Sequence, residues 1–156
     1  MINDSEYRKS WSNFPTGVSV LATRDNNKNL VGMTANSLMS ISLEPKIIMI
    51  SVGNNRSILE YLSVKDNVSI SILTKGQSNI ADYFSNSNQS LKENYFLEKN
   101  EIYYIEECLC YFFCKIINFY VVGDHTVFSL LVEKMNIGEN RSPLIWYQGN
   151  FSKKIL

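Results

Sequence analysis

Two long strand-like runs, residues 107–122 and 125–137, are separated by Gly123 and Asp124 alone. A joint of two residues leaves no length for a crossover, so the runs must turn back on one another as antiparallel neighbours. Segments upstream have the same character. Residues 17–24 alternate Val18, Val20 and Ala22 with Ser19, Leu21 and Thr23, residues 25–29 are a polar hairpin turn, and residues 30–38 return. Residues 46–52 contain a continuous apolar run from Ile47, the pattern of a buried strand. Residues 67–74 give a further strand, and residues 144–147 and 151–155 a short final piece around Gly149. Six or seven mostly consecutive strands predict a mainly β chain whose antiparallel sheet closes into a barrel, because closure removes exposed edges.

The helices between them are short. Residues 4–13 can be capped by Asp4 or Ser5 and are stopped by Pro15. Ser57 and Glu60 stand at capping-box spacing, which predicts a helix over residues 57–64. Residues 77–84 place Ile80, Ala81 and Phe84 on one helical face. Residues 85–100 are rich in Ser, Asn and Lys and read as a mobile polar excursion. No repeat or linker interrupts the chain, so one domain over residues 1–156 is expected.

Composition narrows the function classes. Fifteen basic and fifteen acidic side chains cancel, so no global field draws nucleic acid or an anionic membrane. An anionic ligand must be held by local geometry. No apolar run approaches the roughly 20 residues of a membrane helix. The N-terminus carries Asp4, Glu6, Arg8 and Lys9 in place of an apolar signal core, so a cytoplasmic protein is expected. Cys108, Cys110 and Cys114 are evenly spaced, which on a strand puts all three on one face with Phe112 and Ile116. His125 is the only histidine and no C-x2-C pair is present, so the three read as buried reduced thiols and no metal is expected.

Three places carry chemistry. Thr34, Ala35, Asn36 and Ser37 crowd hydroxyls, an amide and small side chains into the bend between two strands. A planar polar ligand needs that combination of close backbone approach and matched donors and acceptors; the plainer reading is a polar loop. Arg56 stands directly before the expected helix at Ser57, where unpaired N–H groups and a guanidinium fork suit a phosphate; the plainer reading is a capped helix with a solvated arginine. In Gly123-Asp124-His125-Thr126 the histidine sits just past a tight turn, able to donate a hydrogen bond or carry a proton, or simply exposed. P-loop and dinucleotide-fold glycine motifs are absent.

Taken in order, these segments resemble the flavin reductase domain family. Phe14-Pro15-Thr16-Gly17-Val18, Gly32-Met33-Thr34-Ala35-Asn36-Ser37 and Ser40-Ile41-Ser42-Leu43-Glu44-Pro45 match its opening. Arg56-Ser57, Gly123-Asp124-His125-Thr126 and Pro143-Leu144-Ile145-Trp146-Tyr147-Gln148-Gly149 fit its later landmarks. The resemblance implies an FMN-binding split barrel, usually a homodimer, that moves a hydride from NADH or NADPH to FMN or FAD and often supplies reduced flavin to a partner monooxygenase. It implies that Met33, Thr34, Ala35, Asn36 and Ser37 lie along the flavin ring and ribityl chain. Ser51, Val52, Arg56 and Ser57 would hold the ribityl and phosphate end, and Phe84 would approach the pocket. His125 would face the nicotinamide, and Trp146 would close over it. A second reading keeps the fold but makes the chain a carrier that retains FMN and passes electrons to a protein without turning over NAD(P)H.

Overall fold

In the computed structural model, which describes residues 2–86 and 95–151, the Gly123–Asp124 joint closes the long hairpin that its length demands. Gly123 has φ +61°, a left-handed conformation that costs glycine nothing. In chain order the strands are β1 (Thr16–Gly17), β2 (Ser19–Arg24), β3 (Leu30–Ala35), β4 (Met39–Leu43), β5 (Lys46–Gly53) and β6 (Asn67–Ile72). They continue with β7 (Phe96–Lys99), β8 (Ile102–Ile105), β9 (Cys110–Val122), β10 (His125–Ile137), β11 (Ile145–Tyr147) and β12 (Asn150–Phe151). Helix α1 spans Asp4–Trp11 and α2 spans Ser78–Ser85, with short 3-10 turns at Ser57–Tyr61 and Lys75–Gln77.

Seven strands form one antiparallel sheet in the order β3-β2-β6-β9-β10-β5-β4. Its end strands, β3 and β4, are joined by residues 36–38 alone. So short a link holds the two ends within about 14 Å of each other. The sheet must therefore roll up, and it forms a barrel whose ladder is split between β3 and β4, the split barrel that the resemblance implies and not the fully closed one that the strand count alone suggests. Two bulges help it bend: the β9–β10 register shifts between Ser129 and Leu130, opposite Ile117, and again between Val132 and Lys134.

Both sheet faces bury apolar residues. Leu21, Val68, Ile70, Cys114 and Phe128 fill the barrel interior, while Val20, Ala22, Phe84, Tyr103 and Phe113 pack on its outer side beneath α2 and the β7–β8 hairpin. Two of the serines that the strand pattern carries inward are bonded, Ser19 Oγ donating to the Ala35 carbonyl at 3.0 Å and Ser71 Oγ accepting from Ile105 N at 2.9 Å, whereas the buried Ser69 hydroxyl has no partner among the described residues. Asp25 shapes the first hairpin, its Oδ1 accepting from Asn27 N at 2.9 Å and Asn29 N at 2.8 Å.

Several local expectations change. The bend after Ser37 contains a strand, β4, whose Met39, Ile41 and Leu43 alternate correctly but lie exposed, so no core signal marked it. The polar excursion contains β7, and β8 follows it. They turn at Asn100 and Glu101, both at positive φ, and the hairpin buries Phe96, Tyr103 and Ile105; residues 87–94 of that excursion lie outside the described residues. The first helix is capped by Asn3, whose Oδ1 accepts from Ser5 N at 2.9 Å, and not by Asp4 or Ser5. Ser57 and Glu60 make no capping box. Their segment is a 3-10 turn of five residues with no side-chain cap, cut off where Ser63 N donates to Asp66 Oδ2 at 2.8 Å, too short to establish α-helical pairing. The capping box sits instead at Thr74 and Gln77, ahead of α2. Nor do all three cysteines share a face: Cys110 and Cys114 keep the same parity on β9, but Cys108 does not join them. Strand β9 begins at Cys110, Cys114 packs inside the barrel, and Cys108, in the turn before the strand, packs outside.

Candidate active site

The split in the barrel is also where its polar residues gather. The end of β3, the chain leaving it, the end of β5 and the β9–β10 turn enclose a cavity of about 740 Å³. It is lined by Met33, Thr34, Ala35, Asn36, Ser37, Ser51, Gly53, Asn54, Asn55, Arg56, Asp124, His125 and, from α1, Arg8. The volume lies within the range of small-molecule sites, about 300–1,000 Å³.

The lining is fixed by side chains that bond across the split. Ser37 Oγ donates to the Ser51 carbonyl at 2.8 Å and accepts from Ser51 N at 3.2 Å, which fastens the β3 exit to β5 in place of a ladder pair. What Ser37 still offers a ligand is a lone pair, not its proton. Thr34 Oγ1 donates to the Ala81 carbonyl of α2 at 2.6 Å. Thr126 Oγ1 donates to Asn54 Oδ1 at 2.8 Å, which leaves the Asn54 amide N–H groups for the cavity. Asn36 makes no side-chain hydrogen bond with a described residue and keeps its whole amide for a ligand.

Two charged groups flank these amides. Arg56 Nη1 donates to the Ser85 carbonyl at 2.9 Å, at the C-terminal end of α2 where a cation is favoured. That bond aims the guanidinium and leaves its other donors for an anion. Around the Gly53 corner, where His125 Nε2 and Arg56 Cγ both approach, His125 Nδ1 lies 2.7 Å from Asp124 Oδ1. The hydrogen bond from His125 holds the Asp124 carboxyl below the usual carboxylate range, with the charges of His125 and then Arg8 adding to it. An ionised carboxylate only accepts, so Nδ1 carries the proton and Nε2 is left toward Gly53. A Cβ built at Gly53 would stand 3.1 Å from Asn55 Oδ1 and 3.7 Å from His125 Nε2, so the missing side chain keeps that corner open.

A flavin fits this donor set. Its ring edge presents alternating carbonyl and N–H groups to match amides and backbone, and its phosphate matches the guanidinium donors that Arg56 keeps beyond its bond to Ser85. The sequence pattern of the flavin reductase like domain matches residues 11–154 of this chain. The chain belongs to that family. It is 28% identical over 149 residues to the reductase component of 4-hydroxyphenylacetate 3-monooxygenase from Thermus thermophilus, covering 96% of this chain and 95% of that protein. Among solved structures, the flavin reductase PheA2 superposes with a TM-score of 0.87 at 30% identity and 97% coverage of each chain. The NADH:FAD oxidoreductase SgcE6 of Streptomyces globisporus, solved in complex with NAD and FAD fragments, gives a TM-score of 0.88 at 27% identity, covering 97% of this chain and 92% of that one.

In this flavin reductase-like domain, the residues expected from sequence divide in two. Met33, Thr34, Ala35, Asn36, Ser37, Ser51, Arg56 and His125 come together around the cavity. Val52, Ser57, Phe84 and Trp146 do not line it. Val52 is fully buried in the barrel interior, paired with Thr126 in the ladder. Ser57 is exposed at the start of the 3-10 turn. Phe84 is packed over Gly32 among Tyr83, Tyr95 and Phe96. Trp146 pairs with Thr16 and sets its ring 5.1 Å from Phe151. Arg8, Gly53, Asn54 and Asn55 line the cavity without having been singled out, and Asp124, named only within the His125 segment, lines it too. The asparagines directly before Arg56 and the acid directly before His125 are visible as polar runs. Arg8 carries no such signal, because only the fold brings α1 there. Among the described residues no helix is long and apolar enough to cross a membrane.

Proposed function

We propose that this single domain is an NADH-dependent flavin reductase that reduces FMN or FAD and supplies the reduced flavin to a partner monooxygenase. The observation that carries the reading is one cavity holding the Thr34–Ser37 strip, Arg56 and the Asp124–His125 pair. A flavin supplies the hydride acceptor for the reduced nicotinamide. The chain's own work is orientation and exclusion of water rather than acid–base chemistry. Asn36 and the backbone of the strip hold the ring and offset the negative charge that reduction adds. Arg56 holds the phosphate. His125 positions the nicotinamide, its ring fixed by Asp124.

We read the working molecule as a homodimer in the cytoplasm. Beyond Ile116, β9 buries neither face, and Phe119, Tyr120, Val121 and Val122 project from it. At the sheet's end, β4 exposes Met39, Ile41 and Leu43 where an unpaired edge would ordinarily carry charge. Apolar surface on both sides of one ribbon suits a second copy of the chain wrapped around it.

Oxidation of NADH and NADPH, followed by absorbance with FMN, FAD or riboflavin added to dialysed protein, tests the activity. Flavin-dependent turnover with NADH is expected. A flavin spectrum that survives dialysis, with no turnover, would replace this reading with that of an electron carrier.

A further inference from the structure

We propose that Arg8 is the second anion-binding group of this site and grips the pyrophosphate of the reduced nicotinamide dinucleotide. The inference rests on the reductase reading above. It begins with an oddity of α1: none of its residues is buried. The hydrophobic effect therefore does not hold the helix in place. It is tied at its C-terminal end, where Gln148 N donates to the Ser12 carbonyl at 2.9 Å and Gln148 Nε2 to Asn13 Oδ1 at 3.0 Å. What this placement achieves is to bring the Arg8 guanidinium to the cavity wall.

Arg8 differs from the chain's other arginines. Arg24 is bonded to the Lys28 carbonyl and Glu98, Arg56 to the Ser85 carbonyl, and Arg141 to Glu107 and Glu139. The Arg8 side chain makes no hydrogen bond or ion pair with a described residue. The acid whose charge it feels, Asp124, is already engaged by His125 at 2.7 Å. Its planar fork of donors is therefore unspent, the state that suits bidentate recognition of phosphate oxygens.

Position decides which phosphate. The Arg56 guanidinium is bonded to the end of α2, whereas the Arg8 charge acts on Asp124, the partner of the His125 that the reading above sets against the nicotinamide. A pyrophosphate arriving beside the Asp124 carboxylate would be repelled unless a cation offsets that charge. Arg8 is the cation that does so. Two guanidinium groups, one bonded to the end of α2 and one beside the Asp124–His125 pair, then serve two anionic substrates, and neither has to be shared.

The test compares Arg8→Ala and Arg8→Lys with the wild type. For Arg8→Ala the KM for NADH is expected to rise about tenfold, as loss of a charge-assisted phosphate contact requires. The kcat and flavin KM should stay within about twofold. Arg8→Lys should recover part of the loss, because it restores the charge but not the fork. Calorimetric titration of NAD+ into FMN-saturated protein should show the same tenfold weakening. Reduced nicotinamide mononucleotide, which lacks the pyrophosphate, should separate wild type and Arg8→Ala by much less. Unchanged NADH KM and NAD+ affinity in Arg8→Ala would make Arg8 a solvated surface arginine. A rise in flavin KM alone would assign it to the other substrate. Either result overturns this proposal while leaving the reductase intact; a wild type that never oxidises NADH with flavin would instead fail the reductase reading itself.

Discussion

At the scale of single residues, Arg56 and the cysteines show how partners set what a side chain can do. Arg56 gives one donor to the Ser85 carbonyl and so reaches the cavity already oriented. Arg56→Ala should therefore remove binding shared equally by ground and transition states. The flavin KM should rise about tenfold with kcat little changed, read from initial rates at varied flavin. A fall in kcat at constant flavin KM would show that Arg56 does not hold the phosphate. The thiols are the opposite case. Burial pushes Cys108 up to about 11 and Cys114 up to about 12. Both stay protonated near neutrality, and the thiolate is the reactive form. A thiol reagent at slightly alkaline pH should label neither in the native protein and both after denaturation, as followed by mass spectrometry.

Elements in this fold are held by close approach as much as by pattern. A Cβ at Gly32 would stand 2.9 Å from Phe84 Cδ1 and Cε1 and 3.1 Å from Phe96 Cζ. Glycine at that point of β3 lets α2 and the β7–β8 hairpin lie flat on the sheet. Gly32→Ala should therefore cost about 1–3 kcal/mol through forced movement of the two rings, seen as a lower denaturation midpoint with an unchanged slope. An unaltered midpoint would mean the rings have room to yield. The Ser37 clamp on Ser51 works similarly at the split, where a hydroxyl substitutes for strand pairing.

For the whole molecule, the apolar ribbon and the buried weak acids make separate predictions. Val121, more than half exposed on the protomer, carries no packing that an isolated chain would lose. Val121→Lys should leave the fold intact by circular dichroism and turn a dimer into a monomer by sedimentation. A wild type that sediments as a monomer, or a variant that remains dimeric, would overturn the homodimer. Stability should also depend on pH at the alkaline end. Tyr103 joins the two thiols, raised to about 12 by burial. Their contribution is whole below the unfolded values, near 9 for Cys and 10 for Tyr, and is lost as pH climbs toward about 11–12, because the unfolded chain ionises first. Urea midpoints that hold constant across that window would contradict the burial of these groups.

The strands that alternate or run apolar into the core, β2, β3, β5, β6 and the β9–β10 hairpin, were legible in the chain because burial leaves a periodic mark. The Thr34–Ser37 strip, Arg56 and His125, each of which alone reads as a polar loop, a solvated arginine or an exposed histidine, were legible through their order along the chain, which resembles the flavin reductase domain. Elements whose apolar residues face outward, or whose burial depends on a distant partner, left no such mark: β4 is exposed, and β7 and β8 gain their core only by lying on Phe113 and Phe84. The same holds for the site. Ser57 and Glu60 offered a capping box that the short segment cannot form, whereas Arg8 offered nothing until Gln148 pinned its helix beside the cavity. Sequence by itself determined which residues could bind, since donors, charge and periodicity are local. Tertiary structure alone decided which of them meet, because the short link between β3 and β4 rolls the sheet and brings α1, β3, β5 and the β9–β10 turn to one place.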